Sequence, residues 1–406
     1  MDDKPTLRQA NKPREPAVPR VERDGHVWRI RSLAVTRQVL RARNLTTQAG
    51  FTAEAIPKGY LKHHPILISD GPLHDEQRSK VGRFFAPTVV AERYTAHMES
   101  CADTLLDQAQ GSFRLEELTL LYAVEVTADV VGLTNSSVRR MAPRLVRFFN
   151  QPPFDLTRPD FGRTGRQWAQ AAVNGLSPIV RFYLADVRPA IRARRKQPSQ
   201  DVISHLIAEG YSDADILVEC VTYGTAGMVT TREFMSMAAW HLLRNQPLRE
   251  RYLAAGQTER FAILNEIIRL EPVVGHLYRR VQGSFDITEG ENTWSVAPGD
   301  LVDLCVRQAN ADPEAVGPEP LNLCPGRPLP SGVNPAVLSF GDGAHKCPGQ
   351  PLAILEADVL LTRLLARNPR IVTEPSLSWD DLIEGYLLRG FELSFNEDAQ
   401  PGHVGQ

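Results

Sequence analysis

Cys347 lies in the ten-residue stretch Phe340–Gly349, FGDGAHKCPG, the densest concentration of chemistry in this chain. Pro348 and Gly349 mark a helix start, and an apolar stripe follows at Leu352, Leu355, Val359 and Leu360. A thiolate at a helix N-terminus is stabilised by unpaired backbone N–H groups and the positive end of the helix dipole. Gly341, Gly343 and Gly349 keep the loop thin, so its backbone can approach something large and flat. Three other segments carry paired polar groups. Glu266 and Arg269 stand three apart on an amphipathic helix ended by Pro272, a spacing that puts both on one face. His74 and Arg78 stand four apart, as two donors to one carboxylate require. Ala226, Gly227, Thr230 and Thr231 fall in a long apolar helix, where a hydroxyl can bond back to a carbonyl or donate to a ligand.

The Cys347 loop resembles, without a gap, the haem-ligand signature of cytochromes P450: phenylalanine-glycine-x-glycine-x-histidine-x-cysteine-x-glycine. That resemblance implies that Cys347 is the metal ligand, an axial thiolate on the iron of haem b (iron protoporphyrin IX). Such a ligand pushes electron density onto the metal. It also implies that Phe340, Gly341 and Gly349 lie against the cofactor. Glu266-x-x-Arg269 is similar to the family's Glu-x-x-Arg motif. Arg327, in LNLCPGR, matches the meander arginine that completes this structural triad, and ANADP at Ala309–Pro313 resembles the usual lead-in. His74 and Arg78 match the family's propionate contacts, and Arg280 and His345 match the other two, with Arg279 as the alternative to Arg280. Ala226-Gly227-x-x-Thr230-Thr231 resembles the oxygen-binding groove, with Thr230 and Thr231 as candidate catalytic hydroxyls. In the family an acid usually precedes that threonine; here the residue is Val229. Valine cannot relay protons. The position therefore fits tolerated drift, with water and Thr230 sufficing, or an altered route: protons from substrate hydroxyl or N–H groups, a peroxide route, or oxidation by electron abstraction. Glu233, one turn on, is a structural carboxylate or a substitute proton source.

Positioning these groups takes a scaffold, which the resemblance makes mainly α with small β-sheets: a cytochrome P450 fold in one large haem-binding domain. We assign residues 21–398 to it and 1–20, charged and proline-rich, to a disordered N-terminal tail. Helical periodicity runs over about 89–110, 115–131, 136–149 and 165–195. Ser212 with Asp215 reads as an N-cap and its third-position acid, opening an apolar pattern from Ile216 to about Leu243. WSVAPGDLVDLCV reads as two strands around a Pro-Gly turn, and Leu382–Phe395 as a C-terminal hairpin. Candidate substrate-facing residues follow from position in the family: Phe51 and Tyr60 in the segment 48–67, Thr225 and Val229 on the long helix, Val273 and Val274 after the Glu-x-x-Arg helix, and Leu387 and Leu388 in the hairpin.

The chain has 406 residues and a formal net charge of -2, which gives no sign of nucleic acid as a partner. Five cysteines without CxxC or zinc spacing argue for a reducing, cytoplasmic setting. The N-terminus has neither a signal-peptide core nor a spanning helix, so no membrane partner is expected. No flavin or iron–sulfur motif is present. The resemblance therefore implies that electrons come from a separate ferredoxin and ferredoxin reductase, steered by basic residues around Lys346. An apolar pocket fits a small hydrophobic or aromatic molecule. The leading reading is a monooxygenase in bacterial secondary metabolism. The alternatives are oxidative C–C or C–N coupling of an aromatic substrate such as a cyclodipeptide, and a haem-thiolate sensor without turnover.

Overall fold

The computed structural model describes residues 7–13, 15–50, 54 and 64–395. Helices dominate it. Those that frame the site are α1 (Leu33–Arg41), α2 (Gly71–Gly82), α3 (Thr95–Gln108), α4 (Leu115–Val131), α5 (Val138–Val146), α6 (Gly165–Phe182), α7 (Arg188–Lys196), α8 (Asp213–Tyr223), α9 (Thr230–Arg244), α10 (Gln257–Leu270) and α11 (Gln350–Ala366). One five-stranded sheet stands beside them, built from β1 (Val21–Asp24), β2 (Val27–Ile30), β3 (Thr46–Gln48), β4 (His276–Val281) and β5 (Leu301–Cys305) in the order β1-β2-β5-β4-β3. Within it β2 and β5 run parallel and the other pairs antiparallel. The helices share one large apolar core, and the sheet packs with α1 around a second. Fold class and architecture are those expected from the sequence.

The long apolar helix is one continuous rod with an irregular centre. Ser212 caps α8 through a capping box with Asp215, as its spacing predicted. A π-helical segment, Gly224–Val229, then joins α8 to α9. Such wide turns favour functional sites. A β-carbon on Gly224 would meet the Leu145 side chain at 2.7 Å, so the bare glycine lets α5 cross closely.

Two expectations are corrected. Residues 7–20 do not form a free tail where they are described. Arg8 is buried and donates to the carbonyls of Leu270 (2.8 Å) and Arg307 (2.9 Å), Ala10 is fully buried, and the Glu271 carboxylate accepts the N–H of Gln9. A buried acid facing exposed backbone donors overrides the composition. The hairpin also sits earlier than expected. β6 (Ser376–Asp380) pairs with β7 (Gly385–Arg389), and the chain then leaves for another sheet at Glu392–Ser394. Gly390, at φ 68°, makes that break. The two strands expected around the Pro-Gly turn are present, Asn292–Val296 and Leu301–Cys305, and they lie in different sheets.

Candidate active site

The cysteine loop is held by backbone geometry that only its glycines allow. The Cys347 N–H donates to the Phe340 carbonyl at 2.8 Å, closing the loop. Gly341 (φ 69°) and Gly343 (φ 68°) take the left-handed conformation. A β-carbon on Gly343 would come within 2.2 Å of the Leu40 carbonyl, so this glycine seats the loop against α1. Asp342 fastens the same contact, pairing with Arg37 (2.8 Å) and Arg41 (3.0 Å). Gly349 precedes α11, and a β-carbon there would lie 3.7 Å from the Cys347 Sγ. Burial pushes the thiol up from its ordinary value. The Gly349 and Gln350 N–H groups, with Arg78 and Lys346, pull it back toward thiolate. Phe340 is half-buried against the main core.

Beside this loop, four basic side chains converge from three elements: α2, the cysteine loop and β4. His74 on α2 is buried, and its ring lies 4.2 Å from that of His345, centroid to centroid. Burial, then His345 and Arg78, drives the His74 pKa down to about 4, and its Nδ1 has no hydrogen-bond partner. Arg78 reaches the Lys346 carbonyl at 2.7 Å, and His345 lies 3.1 Å from Asp70. The fourth is Arg279, not Arg280. On β4, Arg279 turns inward, is buried, and bonds to Gln48 across the β3–β4 pair. Burial lowers its guanidinium to about 10. Arg280 points the other way, into a two-pronged ion pair with Glu54 at 2.8 Å. Strand alternation decides it: Val281 belongs to the core, and its neighbour Arg280 must face outward. An unpaired imidazole nitrogen and an undercompensated buried guanidinium are what one or two bound carboxylates would satisfy. With the thiol alongside, the set fits a haem.

Behind the loop, the triad is complete. Arg269 is wholly buried and bidentate to Glu266 (2.7 and 2.8 Å), while Arg327 joins the same carboxylate at 3.2 Å. Arg269 also holds the carbonyls of Asn310 and Pro320, and Arg327 those of Val316 and Asn322. Asn310 in turn receives the Leu338 N–H at 2.9 Å, tying α10 to the segment that enters the cysteine loop.

On the opposite side, Thr230 bonds back to the Ala226 carbonyl and Thr231 to that of Gly227 (2.6 Å). Ala226 is exposed and Thr230 half-buried, so this face borders open space. Thr231 is buried, which leaves Thr230 as the available hydroxyl and corrects the pairing of the two. The open side of Gly227 is turned to Thr127 of α4, 3.5 Å from where a β-carbon would sit, so its bareness serves helix packing as well as any ligand. Glu233 faces away from the groove. Its carboxylate holds Arg232 (2.6 Å), Arg389 (2.8 Å) and the Leu388 N–H (3.0 Å), the structural one of its two readings. Val229 and Val273 are buried, and Val273 and Leu388 belong to the main core. Thr225, Val274 and Leu387 are half-buried. Phe51 and Tyr60 lie outside the described residues.

Sequence reasoning missed two features. Glu219 and Tyr223, buried one turn apart on α8, sit between the Ile66 N–H, at 3.2 Å from Glu219, and the stacked ring of Phe85. Burial pushes Glu219 up to about 7. Glu116 receives the Gly390 and Phe391 N–H groups and, with Glu233, anchors the hairpin. An acid within an apolar helical stripe was the available signal for both.

A model of the cytochrome P450 family matches residues 261–368, which span the triad and the cysteine loop. The chain is 28% identical over 347 residues to cytochrome P450 130 of Mycobacterium tuberculosis, covering 82% of this chain and 78% of that protein. It is 26% identical over 330 residues to cytochrome P450(MEG) of Priestia megaterium, covering 78% and 74%. Among solved structures, CYP164A2 of Mycobacterium smegmatis superposes with a TM-score of 0.72 at 25% identity, covering 91% of each chain. P450BioI in complex with a fatty-acyl carrier protein superposes with a TM-score of 0.74 at 21% identity, covering 91% and 92%.

Proposed function

The chain belongs to the cytochrome P450 family and is one of its monooxygenases, and from that premise we propose that it oxidises a small apolar or aromatic metabolite. The cofactor is haem b, whose iron supplies the oxidative chemistry when bound. Electrons come from a separate ferredoxin and its reductase, and the setting is bacterial secondary metabolism in the cytoplasm. The observation that carries this reading is the convergence of the Cys347 thiol with His74, Arg78, Arg279 and His345. Cys347 would ligate the iron, and the four basic groups would hold the propionates. No helix among the described residues is long and apolar enough to cross a membrane.

Thr230 is the residue that handles protons. Its hydroxyl is parked on the Ala226 carbonyl and can swing to donate into the open face. Val229 beside it is apolar, and Glu233 is held by two arginines, so neither offers the groove a proton. Water or a polar group of the substrate must complete the route. This favours a second reading, oxidative coupling, in which oxidation removes electrons and protons from an aromatic substrate without inserting oxygen.

One experiment separates the readings. Purified holoprotein is titrated with small metabolites, cyclodipeptides included, and turnover of each binder is run under ¹⁸O₂. Monooxygenation places one labelled oxygen in the product; coupling gives cross-linked product without label. Val229→Asp should raise product formed per electron consumed in the first case. Unchanged coupling efficiency would refute the altered proton route.

A further inference from the structure

Helices α6 and α7, joined by the π-helical segment Tyr183–Val187, carry two apolar faces instead of one. The inner face, Pro178, Phe182, Val187 and Ile191, is buried against the protein. Two residues from each turn of that line, about half a turn around the rod, runs a second series: Val173, Leu176, Val180 and Leu184. These four are 65%, 61%, 49% and 52% exposed. Their steps of three, four and four residues keep them on one stripe about 17 Å long. The chain's other exposed large apolar residues, such as Leu253, Leu321 and Val372, are scattered over separate elements. Single exposed aliphatics need no explanation, but a contiguous stripe on a helix does.

Charge says what covers it. Residues 165–196 hold seven arginines and lysines and one acid, Asp186, in a chain of net charge -2. Asp186 is buried and paired with Arg144. Arg166 precedes the stripe by two turns, Arg188 and Arg192 continue its line in steps of four, and Arg181 lies beside it. All four are exposed, and among the described residues none makes an ion pair. A second copy of this chain is disfavoured: an antiparallel pair would set Arg166 against Arg188 and Arg192 of the other molecule, and a parallel pair would set each arginine against itself. An anionic bilayer fits less well, because the stripe is narrow and carries no aromatic anchor.

We propose that the outer face of α6–α7 docks an acidic amphipathic helix of a partner protein. That helix lays apolar residues at steps of three and four along Val173–Leu184 and presents carboxylates to Arg166, Arg181, Arg188 and Arg192. The surface is separate from the cysteine loop and serves a partner other than the electron donor that loop would receive.

The test uses holoprotein and two labelled synthetic helical peptides with leucines at the same spacing, one flanked by glutamates and one by lysines, read by fluorescence anisotropy. The glutamate peptide should bind in a salt-dependent manner and the lysine peptide should not. Leu176→Glu, and separately Arg188→Glu with Arg192→Glu, should each weaken binding about tenfold or more. All these side chains are exposed, so the haem spectrum and melting temperature should stay unchanged and report intact folding. Four results overturn the proposal. They are no binding of the glutamate peptide, equal binding of both peptides, and affinity indifferent to the substitutions. The fourth is loss, in the same variants, of self-association on sedimentation or of binding to phosphatidylglycerol vesicles in place of peptide binding.

Discussion

The imidazole rings of His74 and His345 face each other at 4.2 Å, one from α2 and the other from the cysteine loop. Two rings this close, with the His74 Nδ1 unpartnered and its pKa driven down to about 4, make a poor pair on their own. They make a good one around an anion. Arg78 and Arg279 complete the enclosure, and the proposed haem propionates supply the charge it lacks.

Arg279 and Arg280 therefore give a sharp contrast. Arg279→Ala should weaken haem retention roughly tenfold to a hundredfold, the range expected for losing a buried hydrogen bond to a charged group. Arg280→Ala loses the ion pair with Glu54 and a hydrogen bond to the Gly299 carbonyl (3.1 Å), both on the outward face, and should change retention by about twofold or less. Transfer of haem to apomyoglobin measures both. Equal effects, or the reverse order, would contradict the placement.

Glu266 is the keystone of the support behind the cysteine loop. Glu266→Gln leaves Arg269 fully buried and Arg327 largely buried without their counter-charge. The expected loss is roughly 3–5 kcal/mol of stability. Denaturant unfolding of the holoprotein checks it, and a loss below about 1 kcal/mol would show the pair to be dispensable.

How far the residues spoke for themselves depended on distance along the chain. The Cys347 loop was readable because its glycines, its closing hydrogen bond and its helix start lie within ten residues. The Glu266–Arg269 pair was readable for the same reason. Arg279 and Arg280 could not be separated by motif, because the choice depends on which strand face meets the core. Thr231 and Gly227 were grouped with the groove by spacing, but the π-helical turn at Gly224–Val229 changes which side each presents. Residues 7–20 looked too charged to fold, since their partners, Glu271 and Arg307, lie more than 250 residues away. Nothing in the local sequence announces such a partner.

Glu219 should give the protein a pH-dependent stability. Its folded pKa, raised to about 7 by burial, exceeds the ordinary value of 4.5. Below about pH 4.5 both folded and unfolded chains hold the proton. Between 4.5 and 7 only the folded chain does, so stability falls as pH rises through that window and levels off above it. The full effect is on the order of 3 kcal/mol. Glu219→Gln should flatten that slope in chemical denaturation followed from pH 5 to pH 8. An unchanged slope would place the carboxylate in a better-solvated setting.

The most direct test of the whole account is the reduced carbon monoxide spectrum of Cys347→His beside that of the unsubstituted protein. The unsubstituted protein should show the strongly red-shifted Soret band of thiolate-ligated haem. The histidine variant should bind haem through the same basic groups but show the band of imidazole ligation. If both proteins give the same spectrum, Cys347 is not the ligand and the assignment of this site fails.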